Sequence, residues 1–229
     1  MTTMALDILS NPNSKPFEYA IAVDIVRMDV LSKAFEADAF SKIGVHAVSA
    51  ATDYELLLKP TVETLRERGH LVAVSCLWPV SKVILEGRVD TTSISMAMSE
   101  RSASEMPLLL VMAQAIGTVT ELQSILAHVL FEMRENDYER IVVLSLVSHV
   151  DAEMHLKGML PDRYRESFIF LDSRKDHELS LEGVLVPGIG GTSAYRAGFN
   201  SQEEARSFVP EIFRSKYDFE KKPKPGFRM

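Results

Sequence analysis

The chain has 229 residues, of which 46% are hydrophobic and 25% charged, and it carries a formal net charge of -7. A single globular domain of this length buries a sizeable core without a metal or a disulfide, and the acidic balance argues against a nucleic-acid partner. No stretch reaches the roughly 18 apolar residues of a membrane span, no secretory signal is recognised, and the single cysteine, Cys76, lies in an apolar run, so we expect a cytoplasmic protein without a membrane partner.

The first seventy residues are predicted to be mainly helical. After a turn at Asn11-Pro12-Asn13, residues 28–40 carry apolar side chains every three to four positions, which is the spacing of an amphipathic helix. A second helix, VHAVSAATDYELLLKP, is expected to stop at Pro60, because the residue before a proline disfavours helical geometry. A further helix is expected to end at Gly69, a residue type common at helix C-caps. Residues 1–44 are predicted to form an N-terminal helical arm.

Apolar runs alternate with helical patterns over the rest of the chain. Continuous apolar runs are typical of strands that are buried on both faces, and they occur at residues 71–78, 106–117, 140–147, 167–173 and 183–189. An alternating strand is predicted at 91–98, and helices are predicted for SKVILEGR and for residues 120–137. This order predicts an α/β fold with a central, mostly parallel sheet and helices on both faces. The core is expected to span residues 45–199, followed by a C-terminal tail at 200–229.

The loop at residues 112–120 lies between a buried strand and the start of a helix, at the edge of the sheet where α/β proteins bind ligands. Unpaired N–H groups and the positive end of the helix dipole make such a place suitable for a phosphate. Gly117, Thr118 and Thr120 are the residues we expect to hold a monophosphate. The alternative is that the two threonines only cap the helix.

Four segments, taken in order, resemble a known family. They are TDYELLLKPTVETL (52–65), LVAVSCLWPVSKVILEG (71–87), ERIVVLSLVSHVDA (139–152) and GVLVPGIGG (183–191). Their order and spacing resemble the type I phosphoribosyltransferases, most closely the uracil phosphoribosyltransferase branch, whose motif G-Y-I-V-P-G-L-G-D is similar to the last segment. The resemblance covers residues 45–198 and implies a type I phosphoribosyltransferase-like fold, a small phosphorylated ligand and a homodimer. It implies Mg²⁺ only if a pyrophosphorylated sugar is used.

Three departures from that family fall on the binding of its activated sugar. Met112 stands where the motif D-P-M-L-A-T-G-G-S has the acid that pairs with the ribose hydroxyls. The pyrophosphate turn L-R-A-G is matched to residues 77–80, where the arginine is missing. The flap is expected between Met98 and Pro107, where only SERSASEM remains. Ordinary phosphoribosyl transfer is therefore doubtful, because that reaction needs bound pyrophosphate and an enclosed site.

Several other residues are candidates for a ligand site. The resemblance places a base or ligand loop at the end of the last segment, formed by Pro187, Gly188, Gly190, Gly191, Tyr195 and Arg196. Lys82 and Arg101 are candidate anion-binding side chains near the altered turn and flap, with surface positions as the alternative. His149, Asp151 and His155 are a weak metal-site candidate, with an ordinary helix start as the alternative. Trp78, the only tryptophan, is expected either to pack in the core or to fill the volume of a lost substrate.

These observations leave three functional hypotheses, with the catalytic residues unassigned. The first is a divergent uracil phosphoribosyltransferase-like enzyme that binds a phosphorylated sugar or nucleotide-like ligand. The second is a non-catalytic scaffold or regulator that keeps the fold. The third is a metal-dependent hydrolase at His149, Asp151 and His155.

Overall fold

The computed structural model describes residues 1–41, 44–85, 88–100, 105–133, 137–181, 183–189 and 198–214, with the backbone alone at 82–85, 88–90, 132, 202 and 206. A six-stranded sheet runs through the middle of the described chain in the order β3-β2-β1-β4-β5-β6. Its strands are β1 (Gly44–Ala50), β2 (Leu71–Leu85), β3 (Arg88–Ser99), β4 (Leu108–Ile116), β5 (Arg140–His149) and β6 (Phe168–Asp176). Only β3 runs antiparallel to its neighbour. The predicted mostly parallel sheet is therefore confirmed.

Helices cover both faces of the sheet, as predicted. The described helices are α1 (Thr2–Ser10), α2 (Pro16–Glu36), α3 (Lys59–Glu67), α4 (Thr120–Ala127), α5 (Ala152–Met159), α6 (Asp162–Arg165), α7 (Gln202–Ser207) and α8 (Glu211–Arg214). Helices α1 to α3 pack with Leu108, Leu110 and Met112 of β4, whereas α4 to α6 pack with Leu109 and Val111. Successive side chains of a strand point to opposite faces, so the two hydrophobic clusters are the two faces of one sheet. Within the described residues, no helix is long and apolar enough to cross a membrane.

The strand at the centre of the sheet was predicted to be helical, and that prediction is wrong. Residues Gly44–Ala50 form β1, which pairs in parallel with β2 on one side and β4 on the other. All seven residues are buried, which is why the segment lacks the alternation of a half-exposed strand. The chain then turns through a 3-10 helix at Ala51–Asp53 and a π-helix at Tyr54–Leu58 into α3.

Two further predictions of local structure are corrected. SKVILEGR was expected to be helical, but β2 continues through it to Leu85 and β3 begins at Arg88. Residues 183–189 were expected to add a strand to the central sheet. Instead, Leu185–Val186 (β8) pairs only with Glu178–Leu179 (β7), in a separate two-stranded hairpin.

The β2 and β3 strands form a ribbon that extends beyond the rest of the sheet. β1 pairs with β2 only as far as Leu77, whereas β3 pairs with β2 from Ser75 to Leu85. Residues 78–85 are therefore held by β3 alone, past the carboxyl end of β1. The ribbon is attached to α4, because the Ser124 hydroxyl donates a 2.7 Å hydrogen bond to the carbonyl of Thr92.

Candidate functional site

A cavity of about 460 Å³ lies at the carboxyl ends of β1 and β4. The turn after β1 contributes Asp53, and the end of β4 with the loop to α4 contributes residues 112–120. Tyr19 of α2, Ser81 of the ribbon and Val184 of the β7–β8 hairpin complete the wall from three other elements. The volume lies within the range of about 300–1,000 Å³ that is usual for small-molecule sites. The carboxyl edge of a parallel sheet is also where such sites occur in this class of fold.

The structure brings together the three residues predicted to hold a phosphate. Gly117, Thr118 and Thr120 all line the cavity, and the two threonine hydroxyls lie 3.2 Å apart. Helix α4 begins at Thr120 with Val119 as its N-cap residue and no side-chain cap. The alternative reading, in which the threonines only cap the helix, is therefore wrong.

Gly117 has a packing role that its sequence position did not reveal. A Cβ atom at this position would overlap the carbonyl oxygen of Gly183, in the connection between β7 and β8. Gly183 itself has φ +78 and lies against the Thr118 side chain. The glycine therefore allows the hairpin to approach the β4–α4 loop closely, and the hairpin forms one wall of the cavity beside the predicted phosphate-binding residues.

A partly buried chain of hydrogen bonds links Asp53, Gln114 and Tyr19 in the cavity wall. The Gln114 backbone N–H and side-chain amide donate to the two carboxylate oxygens of Asp53, at 3.1 and 2.9 Å. The Tyr19 hydroxyl donates to the amide oxygen of Gln114. Burial raises the pKa of the Asp53 carboxyl to about 6, although both bonds from Gln114 lower it. Asp53 was not predicted to be a site residue, because its segment was assigned to a helix.

A second carboxyl group, that of Glu121, faces the same cavity from the first turn of α4. The side chain is exposed to the open cavity, but protein atoms surround it closely. Burial raises the pKa of Glu121 to about 7, and the charge of Asp53 raises it further. The sequence alone does not mark Glu121 as a site residue, because an acid in the first turn of a helix is common for electrostatic reasons alone.

The electrostatic character of the cavity is acidic. No lysine, arginine or histidine is among its described lining residues. Met112 also lines it but is 1% exposed and packs with the hydrophobic cluster under α2. An anion bound here would therefore depend on backbone N–H groups and threonine hydroxyls, while hydrogen-bond donors on a ligand would meet two carboxyl groups.

The described residues predicted to form the ligand loop, Pro187 and Gly188, do not line the cavity, although their neighbour Ile189 does. Ile189 lines the wall, while Gly188 is fixed to the neighbouring strand: its N–H donates to Asp176, and its carbonyl accepts from Arg174 and Ser10. Those backbone groups are occupied within the protein, and Pro187 does not line the cavity. Gly190, Gly191, Tyr195 and Arg196 lie outside the described residues.

The segment matched to the pyrophosphate turn is not a turn, and residues 101–104 of the segment matched to the flap lie outside the described residues. Residues 77–80 lie within β2, whose pairing with β3 shifts register between Trp78 and Pro79. The ribbon formed by β2 and β3, with Ser81 in the cavity wall, occupies the position of a cover over the carboxyl edge. Arg101 and the side chain of Lys82 lie outside the described residues.

Trp78 does not fill the cavity. Its ring is 5% exposed and belongs to the hydrophobic cluster of α1 to α3, and its indole N–H donates to the carbonyl of Phe208 at 2.9 Å. The residue therefore packs in the core and ties the C-terminal segment to the sheet, and the expectation that it replaces a substrate is wrong.

The candidate metal ligands do not assemble into a site. Nδ1 of His149 lies 3.8 Å from the Asp151 carboxylate and accepts the Asp151 backbone N–H at 3.2 Å. The His155 backbone N–H bonds the carbonyl of Asp151, as in an ordinary helix start. Across the described ranges, no group of three or more histidine, cysteine, aspartate or glutamate side chains is arranged to hold a metal ion.

Comparisons with known proteins bear on the fold. No protein-family model and no curated protein matches the sequence. Among solved structures, the AQ2163 protein from Aquifex aeolicus matches with a TM-score of 0.67 at 8% identity, over 88% of this chain and 95% of that one. An adenine phosphoribosyltransferase from Thermoanaerobacter pseudethanolicus matches with a TM-score of 0.42 at 16% identity, over 70% of this chain and 84% of that one. APRTase from Giardia lamblia matches with a TM-score of 0.43 at 14% identity, over 75% of this chain and 84% of that one. The match to the AQ2163 protein shows a shared fold at low sequence identity.

Proposed function

We propose that the chain binds a phosphorylated sugar or a nucleotide-like ligand in the cavity at the ends of β1 and β4, as a divergent relative of the uracil phosphoribosyltransferases. The observation that carries this proposal is the place of the β4–α4 loop. The segment selected from the sequence as a phosphate loop lines the one cavity edge where parallel α/β sheets bind ligands. Thr118 and Thr120 offer hydroxyl donors there, and α4 offers the unpaired N–H groups of its first turn.

Binding is proposed in preference to ordinary phosphoribosyl transfer. Departure of pyrophosphate requires positive charge at the developing anion, and none of the described lining side chains is basic. The β4 position at which the uracil phosphoribosyltransferases have an acid is occupied by Met112, which is buried. These features favour a different reaction, or ligand binding alone, on a phosphoribosyltransferase-like scaffold.

A non-catalytic scaffold or regulator is the second candidate. It is favoured by the close approach of Gly183 to Gly117, which places the β7–β8 hairpin beside the predicted phosphate loop. Under this hypothesis the loop serves to dock the hairpin, and the acidic wall repels phosphates. The predicted homodimer is compatible with either candidate and stays a prediction.

Thermal unfolding with added ligands separates the two candidates. The probes are ribose 5-phosphate, uridine monophosphate, phosphoribosyl pyrophosphate and uracil, each with and without Mg²⁺. A ligand at one hundred times its Kd stabilises the folded state by about 2.7 kcal/mol, which for a domain of this size corresponds to a rise in Tm of roughly 5–10 °C. If none of the phosphorylated probes raises the Tm, the binding proposal fails and the scaffold is favoured.

The variant Thr118→Val tests the location of the site. It removes the hydroxyl and keeps the shape of a side chain that is exposed at the cavity, so binding of the phosphorylated probe should weaken roughly tenfold. Thr3→Val, on the exposed surface of α1, is the matched control and should bind like the wild type. Equal affinities for the two variants, measured by titration calorimetry, would place the phosphate elsewhere.

A further inference from the structure

The end of β6 presents two charged side chains on one face of the sheet. Arg174 and Asp176 are two residues apart in the strand, so their side chains point to the same face, and that of Lys175 points to the other. Nε and Nη2 of Arg174 lie 2.8 and 3.0 Å from the two carboxylate oxygens of Asp176. This paired geometry makes arginine–carboxylate contacts strong. Asp176 is 5% exposed, so its carboxylate is shielded from solvent.

This ion pair holds the backbone of Gly188 by both its donor and its acceptor. The Gly188 N–H donates to Asp176 at 2.8 Å, and the Gly188 carbonyl accepts from Nη2 of Arg174, also at 2.8 Å. Gly188 has φ +54, and a Cβ atom there would overlap the Leu185 carbonyl, so the residue closes a tight turn. Leu185 and Ile189, on the two sides of this turn, both line the cavity. The ion pair therefore fixes a turn whose two ends belong to the cavity wall.

Helix α1 reaches the same turn through its last residue, Ser10. The Ser10 hydroxyl accepts from Nη1 of Arg174 at 2.9 Å. It lies 3.1 Å from the Gly188 carbonyl and 2.9 Å from the Leu6 carbonyl, either of which accepts its proton. Ser10, Arg174, Asp176 and Gly188 thus form one hydrogen-bonded unit, which we call the Gly188 clamp. No residue of α1 is among the described residues that line the cavity, so the clamp connects α1 with the cavity wall.

We infer that Ser10, Arg174 and Asp176 are positioning residues for the cavity wall at residues 185–189, so that α1 is part of the ligand site. The inference rests on the proposed function in one respect, that the cavity is the ligand site. None of the three side chains lines the cavity, and their effect on a ligand passes through the turn that they hold. A wall that is already ordered binds a ligand at a smaller entropic cost than one that becomes ordered on binding. Loosening the clamp therefore weakens binding without removing a contact to the ligand.

Hydrogen exchange of the full chain tests the clamp in the absence of any ligand. Arg174→Lys keeps the charge but loses the paired contact, so amide exchange in peptides that cover residues 185–189 should accelerate roughly tenfold. Ser10→Ala should accelerate it roughly threefold, and Ser10→Thr, which keeps a hydroxyl, should restore the wild-type rate. Peptides from β4 and β5 should exchange as in the wild type, because the change is local.

The same strand supplies a matched control. Lys175 lies between the two clamp residues of β6, and its Nζ is 3.6 Å from the carboxylate of Glu153 in α5, on the opposite face of the sheet. Lys175→Gln removes this ion pair, which does not involve the clamp. Exchange in residues 185–189 should therefore remain at the wild-type rate in this variant.

Titration calorimetry measures the consequence for a ligand, with ribose 5-phosphate and uridine monophosphate as the probes. Arg174→Lys should weaken binding roughly fivefold and Ser10→Ala roughly twofold to threefold, which is the size of effect expected when a few side chains must be ordered on binding. Ser10→Thr and Lys175→Gln should bind like the wild type. Recovery of both the exchange rate and the affinity in Ser10→Thr assigns the effect to the hydroxyl group and not to the packing of α1.

The outcomes separate this inference from the proposed function. Unchanged exchange at residues 185–189 in Arg174→Lys overturns the inference, and so does an acceleration that extends equally to β4 and β5, since that would show a general loss of stability. Faster local exchange with unchanged affinity for the probes also overturns it and leaves the proposed function standing. If the wild type binds neither probe, the proposed function fails, and the exchange rates alone decide whether the clamp holds the wall.

Discussion

Replacement of His46 by glutamine should change how the stability of the protein depends on pH. His46 lies in the central strand β1 and is 2% exposed. Its Nε2 bonds the Ser75 hydroxyl at 2.6 Å and its Nδ1 bonds the Tyr138 hydroxyl at 2.5 Å. Because Ser75 donates its own proton to Ser99, it accepts from Nε2–H, and Nδ1 is the acceptor for Tyr138. The imidazole is therefore satisfied in its neutral form.

The magnitude follows from the pKa of the buried ring. Burial lowers the pKa of His46 from its ordinary 6.5 to about 4. Above pH 6.5 the ring is neutral in both states, so the full contribution to stability is present. As the pH falls from 6.5 to 4, only the unfolded chain gains a proton, and stability is lost. The two pKa values differ by about 2.5 and each pKa unit corresponds to about 1.36 kcal/mol, so the loss amounts to about 3 kcal/mol.

Urea unfolding followed by circular dichroism at pH values between 4 and 8 measures this effect. The stability advantage of the wild type over His46→Gln should be greatest above pH 6.5 and shrink by about 3 kcal/mol towards pH 4. His155→Gln, on the exposed surface of α5, is the control and should follow the wild-type profile. Parallel profiles for the wild type and His46→Gln would refute the reasoning, since they would show that the buried ring does not resist protonation.

Two further predictions concern the cavity itself. Gly117→Ala should destabilise the fold by about 1–3 kcal/mol, because its methyl group overlaps the Gly183 carbonyl. Gly158→Ala, whose methyl group meets open space in α5, should stabilise the fold by up to about 1 kcal/mol. Thermal unfolding measures both changes, and a Gly117→Ala variant as stable as the wild type would contradict the close approach of the two backbones. The raised pKa values mean that the wild type loses stability as the pH rises from 3.8 to about 6 for Asp53 and from 4.5 to about 7 for Glu121, because only the unfolded chain gives up these protons there. The double variant Asp53→Asn with Glu121→Gln should therefore gain on the wild type between pH 4 and pH 7, and the difference should level off above pH 7. Urea unfolding measures that difference, and a constant difference would show that the cavity does not disfavour the charged carboxyls.

The strands that could be predicted from the sequence are those with a clear local pattern. Residues 106–117 and 140–147 are long apolar runs and correspond to β4 and β5. The alternating segment 91–98 lies in β3, whose exposed and half-buried residues repeat with the period of a strand. The central strand β1 could not be predicted in this way, because both its faces are buried and it is followed directly by helical turns. Periodicity alone does not distinguish such a segment from a buried helix.

Only the part of the candidate site that is continuous in the chain could be predicted from the sequence. The β4–α4 loop follows from sequence order, because the end of a buried strand and the start of a helix are neighbours along the chain. Asp53 reaches the same cavity only because β1 lies beside β4 in the sheet, although the two are separated by β2, α3 and β3 in the chain. The position of the β2–β3 ribbon beside the cavity likewise depends on how far β2 and β3 extend beyond the end of β1. That length is set by strand pairing and not by any local motif.

The absence of an acid at position 112 does not leave the cavity without carboxyl groups. Met112 packs into the hydrophobic cluster under α2, and the carboxyl groups that face the cavity come from the turn after β1 and from the first turn of α4. A ligand responds to acceptors in space, and an acceptor supplied by a neighbouring strand or helix serves a hydroxyl as well as one supplied by β4. Burial raises the pKa of Glu121 and the charge of Asp53 raises it further, so the two carboxyl groups also repel each other. A ligand that places hydrogen-bond donors between them would relieve that repulsion, whereas an anion there would add to it.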